Sequence, residues 1–211
     1  MQMFIYKIPK LVKRLFPNLI WEVPRSQHQD KFIYFTFDDG PTPEITNFVL
    51  DELHKFNAKA TFFCIGKNIQ ANPALFHRIF HEGHSIGNHT MNHLNAWKEN
   101  TKAYHTDILH CESEIVKNNT FSIGFRPPYG RLKKLKLLLK QVEKIYMWSV
   151  LTGDYRGEKC DQQIINNCLP HLKAGAIVVF HDSLKASHNL KIILPIFLAY
   201  CKKQNLILSG L

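Results

Sequence analysis

The sequence lacks an apolar run long enough to cross a bilayer. No segment approaches the roughly 20 consecutive apolar residues that a spanning helix needs. The uncharged stretch before Lys7 is also shorter than the core of a secretory signal peptide. We therefore expect no transmembrane helix and no export signal, and a protein that is cytoplasmic or peripheral at a membrane.

Cysteine is sparse and irregularly spaced. There are five cysteines, no two of them separated by two residues, so the pattern excludes a disulfide-rich scaffold. We expect mostly reduced thiols at Cys64, Cys111, Cys160, Cys168 and Cys201. Cys64 lies in the apolar run 60–65 and is interpreted as a small buried hydrophobic residue rather than a functional thiol.

Acidic residues are outnumbered, 17 to 27, by lysine and arginine, which gives a formal charge of +10. Such a charge attracts phosphates, anionic lipid headgroups or acidic glycans. The densest basic run, residues 131–136, has leucines at helical spacing, which is typical of an amphipathic surface helix. Because no recognition motif accompanies the charge, we expect no nucleic-acid partner.

The chain also lacks internal repeats, low-complexity tracts and linkers. Its 211 residues, 45% of them apolar, are enough for one domain with a buried core. We divide the chain into an N-terminal segment, residues 1–30, and a catalytic domain, residues 31–211. Residues 1–20 are basic and apolar at helical spacing, with Pro9 and Pro17 as helix limits, which suits either a packing helix or a membrane-surface anchor. Nothing in the sequence indicates an oligomeric state.

Short apolar runs alternate with helical patterns along the rest of the chain. The predicted strands are residues 32–37, 60–65, 85–88, 122–125, 145–150, 176–180 and 205–208. The predicted helices are residues 43–56, 72–81, 101–117, 131–143, 161–172 and 189–201. This alternation predicts a parallel α/β fold, either a barrel or an open doubly wound sheet. Polar residues at the C-terminal ends of six strands favour the barrel.

Two acidic residues and a histidine pair carry the first indication of chemistry. Asp38 and Asp39 end a strand, and His89 and His93 are four residues apart, a spacing that places both imidazoles on one side of a helical turn. One carboxylate and two imidazoles suit a divalent cation, and the second carboxylate remains as a base. The alternatives are a helix cap and a turn for the aspartates, and a chance pair for the histidines. His84 is interpreted as structural.

Two further motifs follow strands. Arg126 begins the segment RPPYG, whose two prolines stiffen the backbone and leave the Tyr129 N–H available, and its guanidinium can orient a carboxylate. His181 ends the apolar strand VVFH and suits a general acid near a metal. The simpler interpretations are a rigid turn with a surface arginine and a core histidine bonded to a backbone carbonyl.

The ordered segments TFDDGP, GNHTMNH, RPPYG, WSVLTGDY and VVFHDS together resemble the polysaccharide deacetylase family, the NodB-like carbohydrate esterases. The resemblance runs from about Phe32 to the C-terminus. It implies a distorted (β/α) barrel of about seven strands, a divalent metal that is most often zinc, with cobalt, nickel or manganese as alternatives, and hydrolysis of acetyl groups from a glycan.

Carried onto these positions, the resemblance implies a role for each motif residue. Asp39, His89 and His93 resemble the metal ligands, and Asp38 resembles the general base, held by Arg126. The Tyr129 N–H would stabilise the oxyanion together with the metal, and His181 would protonate the departing group. The acetyl pocket would be lined by Trp148, Tyr155 and Phe180.

One motif departs from the family pattern. The family has D-x-x-D-W where this chain has Leu151, Thr152, Gly153, Asp154 and Tyr155. The resemblance associates the missing first aspartate with the catalytic histidine. Its loss predicts a lowered pKa or a different partner for His181, with a structural role for Asp154. We therefore expect a deacetylase of N-acetylated amino sugars, with a lipid-linked or O-acetylated sugar, or metal-containing glycan binding without catalysis, as alternatives.

Overall fold

The Phe32–Asp38 segment forms the central strand, β1, of a parallel sheet. The computed structural model describes residues 4–24, 31–157 and 161–211. Strand β1 pairs with β2 (Thr61–Cys64) on one side and with β5 (Ile177–His181) on the other. In this register Asp38 lies beside both Phe63 and His181. The alignment brings two of the predicted functional residues to one edge of the sheet.

Helices and short strands alternate along the chain. The other strands are β3 (Ser85–Asn88), β4 (Val150–Leu151) and β6 (Ile207–Leu208). The helices are α1 (Lys10–Leu15), α2 (Pro43–Lys55), α3 (Gly66–Ala71), α4 (Pro73–His81), α5 (Thr101–Lys117), α6 (Leu135–Leu138), α7 (Asp161–Cys168) and α8 (Ser187–Lys203). Short 3-10 turns occur at Pro128–Gly130, Asp154–Arg156 and Leu169–His171. Of the helices that the structure describes, none is long and apolar enough to cross a membrane.

The sheet is closed into a distorted (β/α) barrel, which confirms the predicted fold class. The strand order is β3-β2-β1-β5-β4, and β6 pairs with the start of β1. Single bridges join Asn88 to Phe125 and Phe125 to Ile145, so residues 145–151 connect the β3 edge to the β5 edge. The described chain therefore has six strands, and the isolated bridge at Phe125 lies where the sequence predicts another strand.

Alternation along β1 separates the two faces of the barrel wall. Phe35 and Phe37 are fully buried in the main apolar cluster, which includes Phe197 of α8. Tyr34 and Thr36 face the interior, where the Thr36 hydroxyl meets Arg126. Burial of each of these phenylalanines contributes on the order of 2 kcal/mol. This alternation aims Asp38 into the barrel, toward the same interior as Thr36.

The N-terminal segment packs against the barrel wall. Ile20 N–H donates to Ile145 O at 2.9 Å, and Met147 N–H donates to Ile20 O at 2.7 Å. Leu19 and Trp21 are buried in a cluster with Ile145. Pro9 caps α1, and the helix ends two residues before Pro17. Backbone pairing therefore connects residues 4–24 to the strand that closes the barrel.

Several predicted elements differ from the structure. The predicted helix at residues 131–143 contains only α6, because Lys134 adopts a left-handed conformation with φ of 50°. The predicted strand at residues 122–125 is reduced to isolated bridges at one residue, Phe125, since Gly124 has φ of 144°. Helix α3 was not predicted. The thiols of Cys64, Cys111, Cys168 and Cys201 are free and buried, and Cys160 lies outside the described residues.

Candidate metal and acid–base site

The end of β1 directs two adjacent carboxylates to different partners. Asp38 is the last residue of β1 and is buried. Asp39 has φ of 83°, a left-handed conformation that is uncommon for a side chain other than glycine. This turn of the backbone carries the Asp39 carboxylate toward the two histidines, whereas Asp38 faces Arg126.

Asp39, His89 and His93 form one cluster. Asp39 Oδ1 lies 3.2 Å from His93 Nε2 and 3.7 Å from His89 Nε2. The prediction that the histidines share a helical turn was wrong, because residues 89–93 form a loop. Thr90 and His93 have φ of 67° and 55°, and these left-handed residues bring the rings within 5.1 Å of one another. The loop conformation, rather than a helical turn, therefore brings the two imidazoles together.

The donor set fits a divalent cation. His89 Nδ1 donates to Arg126 O at 2.8 Å, so Nε2 carries the lone pair that faces Asp39. Burial lowers the pKa of His89 to about 4, which keeps its ring neutral. Among the residues that the structure describes, no group donates a hydrogen bond to the buried Asp39 Oδ1. One atom from each of the three residues lies within 4.8 Å of the others, a spacing that a single ion can bridge.

Arg126 holds Asp38 from inside the barrel. Its guanidinium is fully buried, and Nη1 donates to Asp38 Oδ1 at 2.8 Å and to Thr36 Oγ1 at 2.6 Å. Nη2 donates to Met147 O at 3.0 Å, and the group lies 4.0 Å above the Phe63 ring. This network satisfies a buried charge and leaves it no freedom to move away from Asp38.

His181 has a buried carboxylate partner. Its Nδ1 donates to Asp154 Oδ1, and its backbone N–H donates to Asp154 Oδ2, both at 2.8 Å. Burial opposes protonation, but the charge and hydrogen bond of Asp154 raise the pKa of His181 to about 9. The expectation of a lowered pKa for His181, with a structural role for Asp154, was therefore wrong. The alternative expectation, a different partner for His181, is confirmed, because Asp154 is that partner. The leucine at position 151 does not leave His181 without an acidic partner, because Asp154, the second acid of the motif, is that partner.

The predicted site residues, except Phe180, line or adjoin one pocket of about 530 Å³. Its lining includes Tyr129, Trp148 and Tyr155, together with the three candidate metal ligands, Asp38 and His181. Phe180 does not reach it, which corrects that prediction. Strand alternation turns Phe180 outward against Phe37 and Phe197, so its neighbour Val179 lines the pocket instead.

The turn at Tyr129 is shaped by its sequence. Tyr129 has φ of 60°, and its ring lies 4.7 Å from the His93 ring. No residue of the described chain accepts a hydrogen bond from its backbone N–H. Gly130 has φ of 63°, and a side chain there would meet the Trp148 ring at 2.6 Å. A glycine is therefore required for the turn to pack against Trp148.

Sequence reasoning missed three contributors to the site. Asp154 was visible as the acid retained in the fourth motif, but nothing local indicated that it faces His181. Leu151 and Lys185 also line the pocket. Lys185 lies over the Tyr155 ring, with 5.6 Å between Nζ and the ring centroid. Only the fold brings this lysine to the pocket, so no sequence motif marks it.

The (β/α) barrel holds an Asp-His-His cluster that could bind a metal ion, a carboxylate paired with arginine and a histidine paired with aspartate. These are the groups that a metal-assisted hydrolase requires. Residues 25–145 match the polysaccharide deacetylase family model. The chain belongs to this family.

Comparisons with individual proteins agree with this assignment. A peptidoglycan-N-acetylglucosamine deacetylase of Bacillus cereus is 37% identical over 180 residues, covering 82% of each chain. A second B. cereus protein of the same name is 39% identical over 72% of this chain, which spans 56% of that relative's length. The solved structure of the Bc1960 peptidoglycan N-acetylglucosamine deacetylase superposes with a TM-score of 0.79 at 30% identity, covering 90% of this chain and 89% of that one.

Proposed function

We propose that this chain is a metal-dependent hydrolase that removes acetyl groups from N-acetylated amino sugars of a glycan. The observation that carries the proposal is one pocket that contains three candidate metal ligands, a carboxylate and a histidine, the last two each with a buried charge partner. Amide hydrolysis requires a base for the water and an acid for the departing amine. The names of the relatives point to an amino-sugar substrate.

Each residue has a defined task in this proposal. Asp38 accepts the proton of the attacking water, and Arg126 keeps its carboxylate in position. His181 donates a proton to the leaving nitrogen, while the Tyr129 N–H donates to the developing oxyanion. Asp39, His89 and His93 hold the cation, which when bound supplies Lewis-acid polarisation of water and carbonyl. Zinc suits this donor set, and cobalt, nickel or manganese are alternatives.

The acetyl group has an apolar environment in the same pocket. Trp148, Leu151 and Val179 contribute apolar surface next to His181, and Tyr155 packs edge-on against the His181 ring at 4.7 Å. We assign the acetyl methyl to this surface. A leucine at position 151 then contributes to binding the substrate, in place of the acid that the family pattern has there.

The test is acetate release from a panel of acetylated glycans, analysed by mass spectrometry with zinc or cobalt added. Asp38→Asn is expected to lower kcat by at least about a thousandfold, because it removes the base and leaves Arg126 without its counter-charge. The matched control is Asp51→Asn, the same change at an exposed carboxylate paired with Arg78. Activity that Asp38→Asn leaves untouched would contradict the proposal.

The alternatives make different predictions in the same assay. A lipid-linked or O-acetylated sugar would be the preferred substrate if those members of the panel give the higher kcat/KM. A glycan binder without catalysis would bind metal and glycan and release no acetate. Any acetate release that depends on Asp38 excludes that last possibility.

We also propose that the N-terminal segment contacts an anionic membrane surface. Leu11 and Leu15 of α1 are 68% and 65% exposed, and Phe16 follows them at the surface. Lys10 and Arg14 on the same helix are also exposed. Exposed apolar side chains next to cations favour a membrane interface over solvent. The division of the chain at residue 30 remains a prediction.

Liposome sedimentation tests this contact with the full chain. Leu11→Ser with Leu15→Ser should weaken binding to anionic vesicles at least about thirtyfold, since each leucine contributes about 1–2 kcal/mol of apolar burial. Leu109→Ser with Val116→Ser is the matched control, because both residues are exposed on α5. Equal pelleting of the two double variants would exclude an anchor in α1.

A further inference from the structure

An aromatic and cationic surface extends the pocket beyond the three candidate metal ligands. We define the shelf as Tyr129, Arg131 and Trp97. The Arg131 guanidinium carbon lies 4.7 Å from the Trp97 ring centroid and 5.8 Å from that of Tyr129. Tyr129 in turn contacts His93, so a continuous row of side chains leads from a candidate metal ligand to Trp97. Trp97 lies outside the pocket lining, and the shelf therefore lengthens the site.

The shelf is held in place from two loops. The Trp97 indole N–H donates to Leu132 O at 3.0 Å, next to Arg131 in sequence. The Trp97 backbone N–H donates to Asn95 Oδ1 at 3.0 Å. On the other loop, the positive φ of Tyr129 and Gly130 orients the chain before Arg131. The indole bond ties the two loops together, and the bond to Asn95 fixes the backbone at Trp97. The rings and the guanidinium therefore form a preorganised surface.

The rings remain open to solvent although they are fixed. Trp97 is 65% exposed and Tyr129 is 62% exposed. Large aromatic side chains are costly to leave in water, and a fixed, exposed pair beside a catalytic pocket is typical of a binding surface. The apolar face of a sugar ring is a matching partner, because it stacks flat on an indole or phenol.

Arg131 adds a preference for negative charge. Within the described residues, no side chain forms an ion pair with Arg131, and its guanidinium donates no hydrogen bond. Its five N–H donors are therefore available to a ligand, while contact with the two aromatic rings positions the guanidinium. Lys185 also lines the pocket and forms no ion pair with a described residue. A carboxylate on the glycan matches this unpaired guanidinium.

We propose that the shelf binds the sugar next to the one being deacetylated, with Trp97 stacking on its ring and Arg131 pairing with a carboxylate that it carries. The inference rests on the proposed deacetylase function and adds the substrate class, a glycan chain with acidic groups rather than a single acetylated sugar. Tyr129 serves both the pocket and the shelf, so the test uses Trp97 and Arg131.

The experiment compares a neutral and an acidic glycan of equal length. Chitotetraose, a peptidoglycan tetrasaccharide with lactyl carboxylates, and 4-nitrophenyl acetate are assayed with each variant. Trp97→Ala should raise KM about tenfold for both tetrasaccharides relative to the small ester, with kcat little changed. Arg131→Ala should raise KM about tenfold for the acidic fragment and by less than about threefold for chitotetraose.

Matched controls separate the shelf from general effects. Phe121→Ala removes another exposed aromatic ring, 75% exposed and outside the pocket, and Lys136→Ala removes an exposed cation five residues after Arg131. Both controls should leave the tetrasaccharide KM unchanged. If Trp97→Ala behaves as Phe121→Ala does, the shelf is not a binding surface. Equal losses on the two glycans with Arg131→Ala would remove the carboxylate preference.

Binding measured by calorimetry distinguishes failure of the shelf proposal from failure of the proposed deacetylase function. In an Asp38→Asn background, where turnover is slowed at least about a thousandfold, the acidic tetrasaccharide should bind about tenfold more weakly when Trp97 is also replaced. Unchanged binding overturns the shelf even if acetate release is observed in the parent. Weakened binding supports the shelf even if no acetylated glycan is a substrate.

Discussion

The pH dependence of activity in the Asp154→Asn variant tests the assignment of His181 as the general acid. The Asp154 carboxylate is fully buried and accepts two hydrogen bonds from His181, from Nδ1 and from the backbone N–H. Asparagine keeps the shape of the side chain and an oxygen for one of these bonds, but it removes the charge. Asp154 is the largest cause that raises the pKa of His181, against burial that lowers it.

The magnitude follows from the shift. A pKa raised from 6.5 to about 9 corresponds to about 3 kcal/mol of preference for the imidazolium over the neutral ring. A general acid must be protonated, so activity falls as pH rises through its pKa. With Asp154 the fall should occur near pH 9, and without it near or below pH 6.5. At pH 8 the variant would then retain only about one thirtieth of the protonated fraction.

The assay is kcat/KM for chitotetraose between pH 5.5 and 10, with metal content measured for each protein. Asp154→Asn should move the alkaline limb toward acid by at least about 2.5 pH units, while Asp51→Asn leaves it in place. The stability effect has the same direction, because His181 stabilises the fold below pH 6.5 and this contribution is lost as pH rises through about 9. An identical alkaline limb in wild type and Asp154→Asn would refute this assignment of His181.

Three further predictions concern the support of the site. Gly40→Ala should lower the free energy of unfolding in urea by about 3 kcal/mol, because the new Cβ would lie 2.0 Å from Asp182 Oδ2, and a loss below about 0.5 kcal/mol would contradict the packing. Arg126→Lys should lower kcat on the order of a hundredfold with KM nearly unchanged, because an ammonium cannot reproduce the planar contacts to Asp38 and the Met147 carbonyl. A variant with the wild-type kcat would contradict this role of Arg126. Dialysis against a chelator should abolish acetate release and zinc should restore it, whereas full activity of metal-free protein, checked by elemental analysis, would exclude metal dependence.

Much of the site was predictable because its residues occupy the ends of individual strands. Asp38 ends β1 with Asp39 directly after it, and His181 ends β5, so a strand pattern followed by polar residues marks each of them. The alternation of strands and helices likewise predicts parallel pairing, which places these ends at one edge. These residues each belong to a short continuous stretch of chain, so their positions can be identified from a single sequence.

The parts that sequence reasoning missed depend on orientation within a strand or loop. Phe180 follows a pocket residue by one position, yet alternation turns its ring into the outer core. His89 and His93 meet through left-handed residues in a loop, although their spacing equally suits a helix. Spacing along the chain does not distinguish these geometries, because the deciding dihedral angles respond to packing from distant segments.

The sequence by itself determined the family, the barrel class and the three candidate metal ligands, because five ordered motifs contain the residues that mark them. Only the tertiary structure decided that Asp154 is the partner of His181, that Leu151 lines the pocket, and that Trp97 and Arg131 form a shelf. Those relationships join residues that are 27 and 34 positions apart in the chain. Closure of the barrel brings such segments together, and no local pattern records which side chains will then face one another.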